Sequence, residues 1–446
     1  MTAARMRKEK AVRRWKIAAA GAVAALLAAG CGSSSGSGSA GGSNNTPVTL
    51  TIWHNYGTEQ NATALVNLAK AFHKLHPSIT VNVVSQPASN YFALLQSKAI
   101  SRNGPDLAVM WTGLFTLQYK GFLQNLKGLV PASALAQVDP NALKWTSDSF
   151  NPANGPYVIP LENQFYIGFY NKADFTKAGV TAVPTDWAQL YAACTKLKKA
   201  GFTPIVYGNG GQPLGATFYP WYDMSYMMIG SYSVSQWQSL YSGSTAWTSS
   251  AIGAQLASWN KLHSSGCTNS DVVTNTNNLG QFESGKAAMM VDGTWDTQKF
   301  TNALGTKVAA FVPPFSSTPI KGVVDFAGDG VSMMSYSPHK TQAAEFLTFM
   351  TTKQAAASIN AAGLIPAVVG TSTTNPVNQE MLNFVSQGGM TAYPMLDNVV
   401  QGNVVNIGSK FLPAVLNGSE SISKALTDMQ TTLQQLPASQ RGNTFP

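Results

Sequence analysis

The strongest constraint on this chain is a change of hydrophobic period that recurs along its body. Apolar Val48, Leu50 and Ile52 alternate with Thr49 and Thr51, the period of a half-buried strand. From about Asn61 the period lengthens. Ala62, Leu65, Ala69, Phe72 and Leu75 recur at spacings of three and four, one face of a helix, and Pro77 ends it. Ile79, Val81 and Val83 then alternate again. Strand, helix and strand in that order make a βαβ unit, which commits the chain to a parallel sheet carrying helices. The pattern repeats downstream. A helix is predicted from Tyr91 to Ile100, and Pro105-Asp106 introduces the buried strand Leu107 to Trp111. Tyr157 to Pro160, Phe165 to Tyr170 and Ala287 to Val291 read as strands. Helices are predicted from Thr185-Asp186 to about Ala200, with Gly201 as the stop, over Thr341 to Thr351, and from Ser421 to Leu436. The fold class is α/β. A length of 446 residues exceeds one ordinary domain and predicts two lobes.

The formal charge of +9 invites a nucleic-acid partner until its location is counted. Residues 1–30 hold Arg5, Arg7, Lys8, Lys10, Arg13, Arg14 and Lys16 against Glu9, a net +6, which leaves +3 on the rest. The apolar stretch Ile17 to Gly30 that follows is 14 residues long, short of the ~20 that span a bilayer. A basic segment before such a stretch reads as an export signal, with an uncleaved signal anchor as the alternative. Leu27-Ala28-Ala29-Gly30-Cys31 resembles a bacterial lipobox, with Ala28 where leucine is usual. Residues 1–30 are therefore expected to be a lipoprotein signal peptide, and 31–46 the lipidated Cys31 with a Gly/Ser-rich tether. A tether of that composition has a root-mean-square reach of about 20 Å. The expected location is extracytoplasmic, held to the bacterial cell membrane by lipid, with no nucleic-acid partner.

Motifs for chemistry are sparse. Gly32-Ser-Ser-Ser-Gly36 matches G-x-S-x-G formally but lies in the tether, without the strand and helix that a nucleophile elbow needs. His73 and His76 stand apart from other metal-ligating residues, and Gly285-Lys286 is followed by Ala287, which breaks a phosphate-binding P-loop. No metal, cofactor or catalytic residue is expected. With Cys31 assigned to lipid, Cys194 and Cys267 remain, read as a disulfide in an exported body or as buried free thiols.

Seven segments, in order, resemble the extracellular solute-binding proteins of ABC importers, in particular the sugar-binding group that includes maltose-binding protein. They are Thr49-Leu-Thr-Ile-Trp53, Gly104-Pro-Asp-Leu107, Tyr157-Val-Ile-Pro160 with Phe169-Tyr-Asn-Lys172, and Pro184-Thr-Asp-Trp187. Phe282-Glu-Ser-Gly-Lys-Ala-Ala-Met289 with Gly293-Thr-Trp295, Ser337-Pro-His-Lys340 before Ala343-Ala-Glu-Phe-Leu347, and Gly363-Leu-Ile-Pro366 complete them. The resemblance implies a two-lobed, periplasmic-binding-protein-like fold with crossover hinge strands and an interlobe ligand cleft. It places residues 47–155 and 326–365 in one lobe and 156–325 and 366–446 in the other. It implies a monomer that captures a sugar and delivers it to ABC transporter permease subunits. A lipid-anchored carbohydrate hydrolase using cleft carboxylates and a binding protein for a non-sugar solute are the other readings.

Sugar sites combine apolar faces for the ring with polar groups for its hydroxyls. By the resemblance, Trp295 stacks on sugar and Glu162 touches ligand. Ala327-Gly-Asp-Gly330 resembles a glycine pair near a crossover, which nominates Gly328 and Asp329. Position nominates the others. Asn55 and Glu59 follow the first strand, and Trp111 and Thr112 end the Leu107 strand, where open α/β sheets bind ligands. Trp221 and Tyr222 lie in an aromatic-rich stretch that is either core or cleft wall. Asp106 reads as a structural cap, Trp53 as core, and His54 as packed or functional.

Overall fold

The computed structural model describes residues 46–57, 59–208, 218–387 and 389–441. Residues 1–30, read above as an export signal, Cys31 and residues 32–45 lie outside the described residues. The body opens as its periodicity dictates. β1 (Val48–His54) pairs in parallel with β2 (Ile79–Ser85), and α1 (Gln60–Leu75) makes the crossover. Ala64, Leu65, Leu68, Ala69 and Phe72 form the buried stripe of α1 and share a core with Leu50 and Ile52 of β1. α2 (Tyr91–Ile100) leads to β3 (Leu107–Met110), whose four side chains are all buried. β3 ends one residue short of the predicted strand, so Trp111 falls past its carboxyl end. Asp106, just before β3, accepts the Thr51 N–H at 3.0 Å and the Ser337 hydroxyl at 2.6 Å, and lies 3.0 Å from His339 Nδ1. It thereby ties β3 to the distant Ser-Pro-His segment.

α3 (Leu114–Tyr119) and α4 (Pro140–Thr146) follow. Asp139 caps α4 by accepting the N–H groups of Asn141 and Ala142, with Pro140 at the first helical position. Ala142 and Trp145 of α4 pack into the core of the second lobe.

β4 (Val158–Pro160) lies in the first sheet and β5 (Asn163–Asn171) in the second, with only Leu161 and Glu162 between them. The second lobe then runs through α5 (Trp187–Lys199), β6 (Thr203–Ile205), α6 (Phe218–Ile229) and α7 (Ser250–Ser264). It continues through β7 (Ala287–Gly293), α8 (Thr297–Leu304), β8 (Val308–Phe311) and β9 (Gly322–Ala327). The return crossing joins β9 to β10 (Gly330–Met333), which lies back in the first sheet between β3 and β4. α9 (Lys340–Met350) and α10 (Lys353–Asn360) complete the first lobe, with Phe346 of α9 edge-on to Phe72 of α1. A third passage through Ile365 and Pro366 leads to α11 (Pro376–Gln387), β11 (Thr391–Tyr393), α12 (Leu396–Val399), α13 (Gly402–Leu416) and α14 (Ile422–Gln435).

Two sheets result. The first has the order β2-β1-β3-β10-β4, and the second β11-β9-β5-β7-β6 with β8 paired to β5. Backbone hydrogen bonds bind the crossings together. Gly328 N–H donates to Glu162 O at 3.0 Å, Leu161 N–H to Asp329 O at 2.9 Å and Asn163 N–H to Ile365 O at 2.9 Å. Among the described residues no helix is long and apolar enough to cross a membrane.

Cys194 of α5 and Cys267, 73 residues apart, are disulfide-bonded with a Cα–Cα separation of 5.2 Å, inside the range that a bridge requires. Both are buried in the second core. A loop of that length contributes about 2–4 kcal/mol. Reduction, or the double substitution to serine, is expected to lower the unfolding free energy by that amount, read by urea denaturation with and without reductant.

Candidate ligand-binding site

The site grows from the carboxyl ends of β1, β3 and β7 and from the crossings. β1 delivers Asn55 and Tyr56, and the chain turns at once into α1, so Glu59 and Asn61 stand at the first turn of that helix. Asn55 is buried, and neither its amide nitrogen nor its oxygen has a protein hydrogen-bond partner. Buried amides are rarely left so, because the cost of desolvating them is recovered only by a partner.

Glu162 sits at the crossing with 1% of its surface exposed. Its Oε1 accepts from Asn61 Nδ2 of the first lobe and from Gln164 Nε2 at 2.7 Å, while Oε2 has no hydrogen-bond partner. Burial pushes its carboxyl up to about 8, with the Asp329 charge adding to the effect and the two amide hydrogen bonds opposing it. Glu59 is also pushed up to about 8, by burial first and then by the negative fields of Asp296 and Asp329, against the attraction of Lys299. Burial, Asp329 and Glu162 hold the Tyr56 phenol well above its ordinary value. Groups from the first lobe (Tyr56, Glu59), the crossings (Glu162, Asp329) and the second lobe (Asp296, Lys299) therefore act on one another.

The second lobe contributes an aromatic wall. Trp295 lies in the short turn Thr294–Asp296 after β7, and α1 packs against that turn. Its ring covers Gly293, where a Cβ would fall 2.0 Å from Trp295 Cζ3. That close approach explains the glycine of Gly293-Thr-Trp295. The indole is near-parallel to Tyr166 at 6.5 Å and edge-on to Tyr222 at 6.2 Å. Burial and the adjacent Asp296 hold Asp292, behind this turn, well above the usual carboxylate range, and burial raises Asp296 to about 6.

The other nominated residues are placed as follows. Trp111 is half-buried in an aromatic cluster, edge-on to Phe92 and to Phe115 at 4.8 Å each. The Thr112 hydroxyl has both of its roles filled. It donates to Ala327 O at 2.6 Å and accepts from Asn398 Nδ2 of α12 at 2.6 Å, so Thr112 ties the first lobe to the return crossing and to the second lobe. Gly113 beside it has φ +71°, and a Cβ there would meet Asn398 O at 2.3 Å. Tyr222 reaches the aromatic wall through Tyr166 at 4.8 Å. Trp221 does not, because its fully buried ring presses on Gly408 of α13 in the second core. Gly328 leaves room for Gln164, since a Cβ there would lie 2.5 Å from Gln164 Cδ. Tyr56, Asn61, Gln164, Asp296 and Asn398 were not singled out in the sequence. Strand alternation carried a signal for one of them, because Gln164 lies two residues after Glu162.

Residues 56–357 match the bacterial extracellular solute-binding protein family, which is 302 of 446 residues. The chain belongs to this family. It is a two-lobed binding protein and not an enzyme. No curated protein sequence matches it. Solved structures share its fold at low identity. A chitin oligosaccharide binding protein is 20% identical with a TM-score of 0.72, covering 86% of this chain and 98% of its own. The GacH receptor of Streptomyces glaucescens, solved free and with acarbose, is 20% identical with a TM-score of 0.71, covering 87% and 99%. The cyclic α-maltosyl-1,6-maltose binding protein of Arthrobacter globiformis is 20% identical with a TM-score of 0.63, covering 89% and 100%.

The raised carboxyls of this solute-binding protein set its pH dependence. A carboxyl whose affinity for protons is higher when folded stabilises the fold fully below its unfolded value. That contribution is lost as pH rises through the folded value. For Glu162 and Glu59 the loss runs from about 4.5 to about 8. A tenfold change in proton affinity is worth about 1.4 kcal/mol. The unfolding free energy should therefore fall between pH 5 and pH 9, and Glu162→Gln should flatten the fall; equal slopes in denaturation series would refute this assignment.

Proposed function

We propose that the protein captures a neutral saccharide between its lobes, tethered to the outer face of the cell membrane by lipid on Cys31, and delivers it to an ABC transporter permease. The observation that carries this reading is the pairing of two surfaces. The Trp295 ring, partly buried and backed by the buried Tyr166 and Tyr222, lies in a turn that packs against α1 and whose Asp296 acts on Glu59, in the carboxyl cluster with Glu162 and Asp329. A sugar ring presents apolar C–H faces to such a wall and hydroxyls to such polar groups. Carboxyls held up near 8 are largely protonated at neutral pH. A protonated carboxyl both donates and accepts, which suits a hydroxyl. Saccharides or saccharide-like ligands named for solved structures of this fold, a chitin oligosaccharide, acarbose and cyclic α-maltosyl-1,6-maltose, support the class. A ligand that touches both lobes favours the closed form by its greater affinity for that state, and the permease reads the closed shape.

Tryptophan fluorescence titrated with mono- and oligosaccharides should show reversible, saturable binding with the saccharide recovered intact. Trp295→Ala should weaken the best binder about 10-fold, in line with a lost ring contact of roughly 0.5–1.5 kcal/mol plus lost buried area. A response confined to amines or other cationic solutes overturns the saccharide class.

Lipidation is tested separately. The full-length chain expressed in a bacterial host should partition into the detergent phase on Triton X-114 extraction, and Cys31→Ser should move it to the aqueous phase.

A further inference from the structure

A recess lies beside the candidate site, and its chemistry is different. It has a volume of about 610 Å³ and is lined by twelve residues, none of them ionisable or aromatic. Gln60 and Thr63 of α1 form the first-lobe wall, and Gln298, Thr301 and Asn302 of α8 the second-lobe wall. The end of α10 and the Gly363 turn close the third side. Gly363 fits tightly there, since a Cβ on it would lie 2.4 Å from Gln298 Oε1.

The elements that build this recess also build the candidate site. Gln60 directly follows Glu59 on α1, and Gln298 lies three residues past Trp295. The polar side chains on two sides hydrogen-bond to one another. Gln298 Nε2 donates to Asn302 Oδ1 at 2.8 Å, and Asn375 Nδ2 donates to Gln298 Oε1 and Thr301 Oγ1 at 3.1 Å each. Amides and hydroxyls offer donors and acceptors together and carry no net charge. That inventory matches vicinal hydroxyls, and it gives little to a charged group, which needs a counter-charge, or to an apolar one. Without an aromatic face the recess provides hydrogen bonds only.

We infer that this recess is an accessory subsite that takes the terminal sugar unit of an oligosaccharide whose inner unit occupies the Trp295 wall. The inference rests on the saccharide reading above and narrows it from sugars in general to saccharides of more than one unit. A terminal unit here touches α1, α8 and the Gly363 turn together, so it adds to closure of the two lobes.

Gln60 is half-exposed and Thr63 exposed, so the double variant Gln60→Ala/Thr63→Val removes two polar groups without opening a core. Thr63→Arg fills the recess instead. Both variants should keep the thermal midpoint of the ligand-free protein. The probes are glucose, maltose, maltotriose, xylotriose and triacetylchitotriose, titrated by calorimetry into the full exported body. Each variant should weaken the tightest trisaccharide 5- to 20-fold and leave the single-ring sugar within 2-fold. Equal affinities in wild type and variants at every chain length overturn the subsite, as does an equal loss at every length. A wild type that takes glucose and refuses all three trisaccharides also overturns it while leaving the saccharide reading intact. A wild type that binds no probe sinks both.

Discussion

The architecture depends on a backbone constraint at the crossings. Three passages link the lobes within a few residues of one another, and each is hydrogen-bonded to a neighbour: Gly328 to Glu162, Leu161 to Asp329, Asn163 to Ile365. Buried peptide groups need such partners. Closely paired crossings leave few residues between the lobes whose dihedrals are free to change, at 161–163, 327–330 and 364–366. A Cβ on Gly330 would lie 2.5 Å from Ile159 O, so side-chain bulk is excluded where the crossings run closest.

The same crossings set the electrostatics. A carboxylate on a strand that passes between two lobes is screened from water on both sides. Glu162 is therefore nearly inaccessible, and Asn61 of the first lobe and Gln164 of the second hold one of its oxygens. Glu59, Asp296 and Asp329 approach from either side, and their mutual repulsion adds to burial. A cluster of this kind favours protonated carboxyls that can address hydroxyls. The placing of the Trp295 ring follows from a different local cause, the absence of a side chain at Gly293, which lets the ring lie down on the strand end.

Thr112 joins the two lobes through a single hydroxyl. Its hydroxyl spans the first lobe, the return crossing and α12, and Gly113 allows α12 to approach. This tie is made by protein groups alone and fixes one contact between the lobes.

Much of the fold was legible in the chain because the relevant signals are local. Period-two and period-3.6 patterns placed β1, α1, β2, α2 and β3 within a residue or two, since burial of one face is written into neighbouring side chains. Pro105-Asp106 and Ser337-Pro338-His339 could be read as motifs, but the hydrogen bonds that join them across 231 residues could not. The site was legible in outline. Glu59, Glu162, Trp295 and Asp329 were nominated and do come together, whereas Trp221 and Tyr222, adjacent in sequence, part company because successive positions on a helix face different neighbours. By itself the sequence determined the α/β class and the motifs of a two-lobed binding protein. Only the tertiary structure decided that Asn61 meets Glu162 across 101 residues and Asn398 meets Thr112 across 286. Periodicity records which face of an element is buried, and only the packing of distant elements selects what that face is buried against.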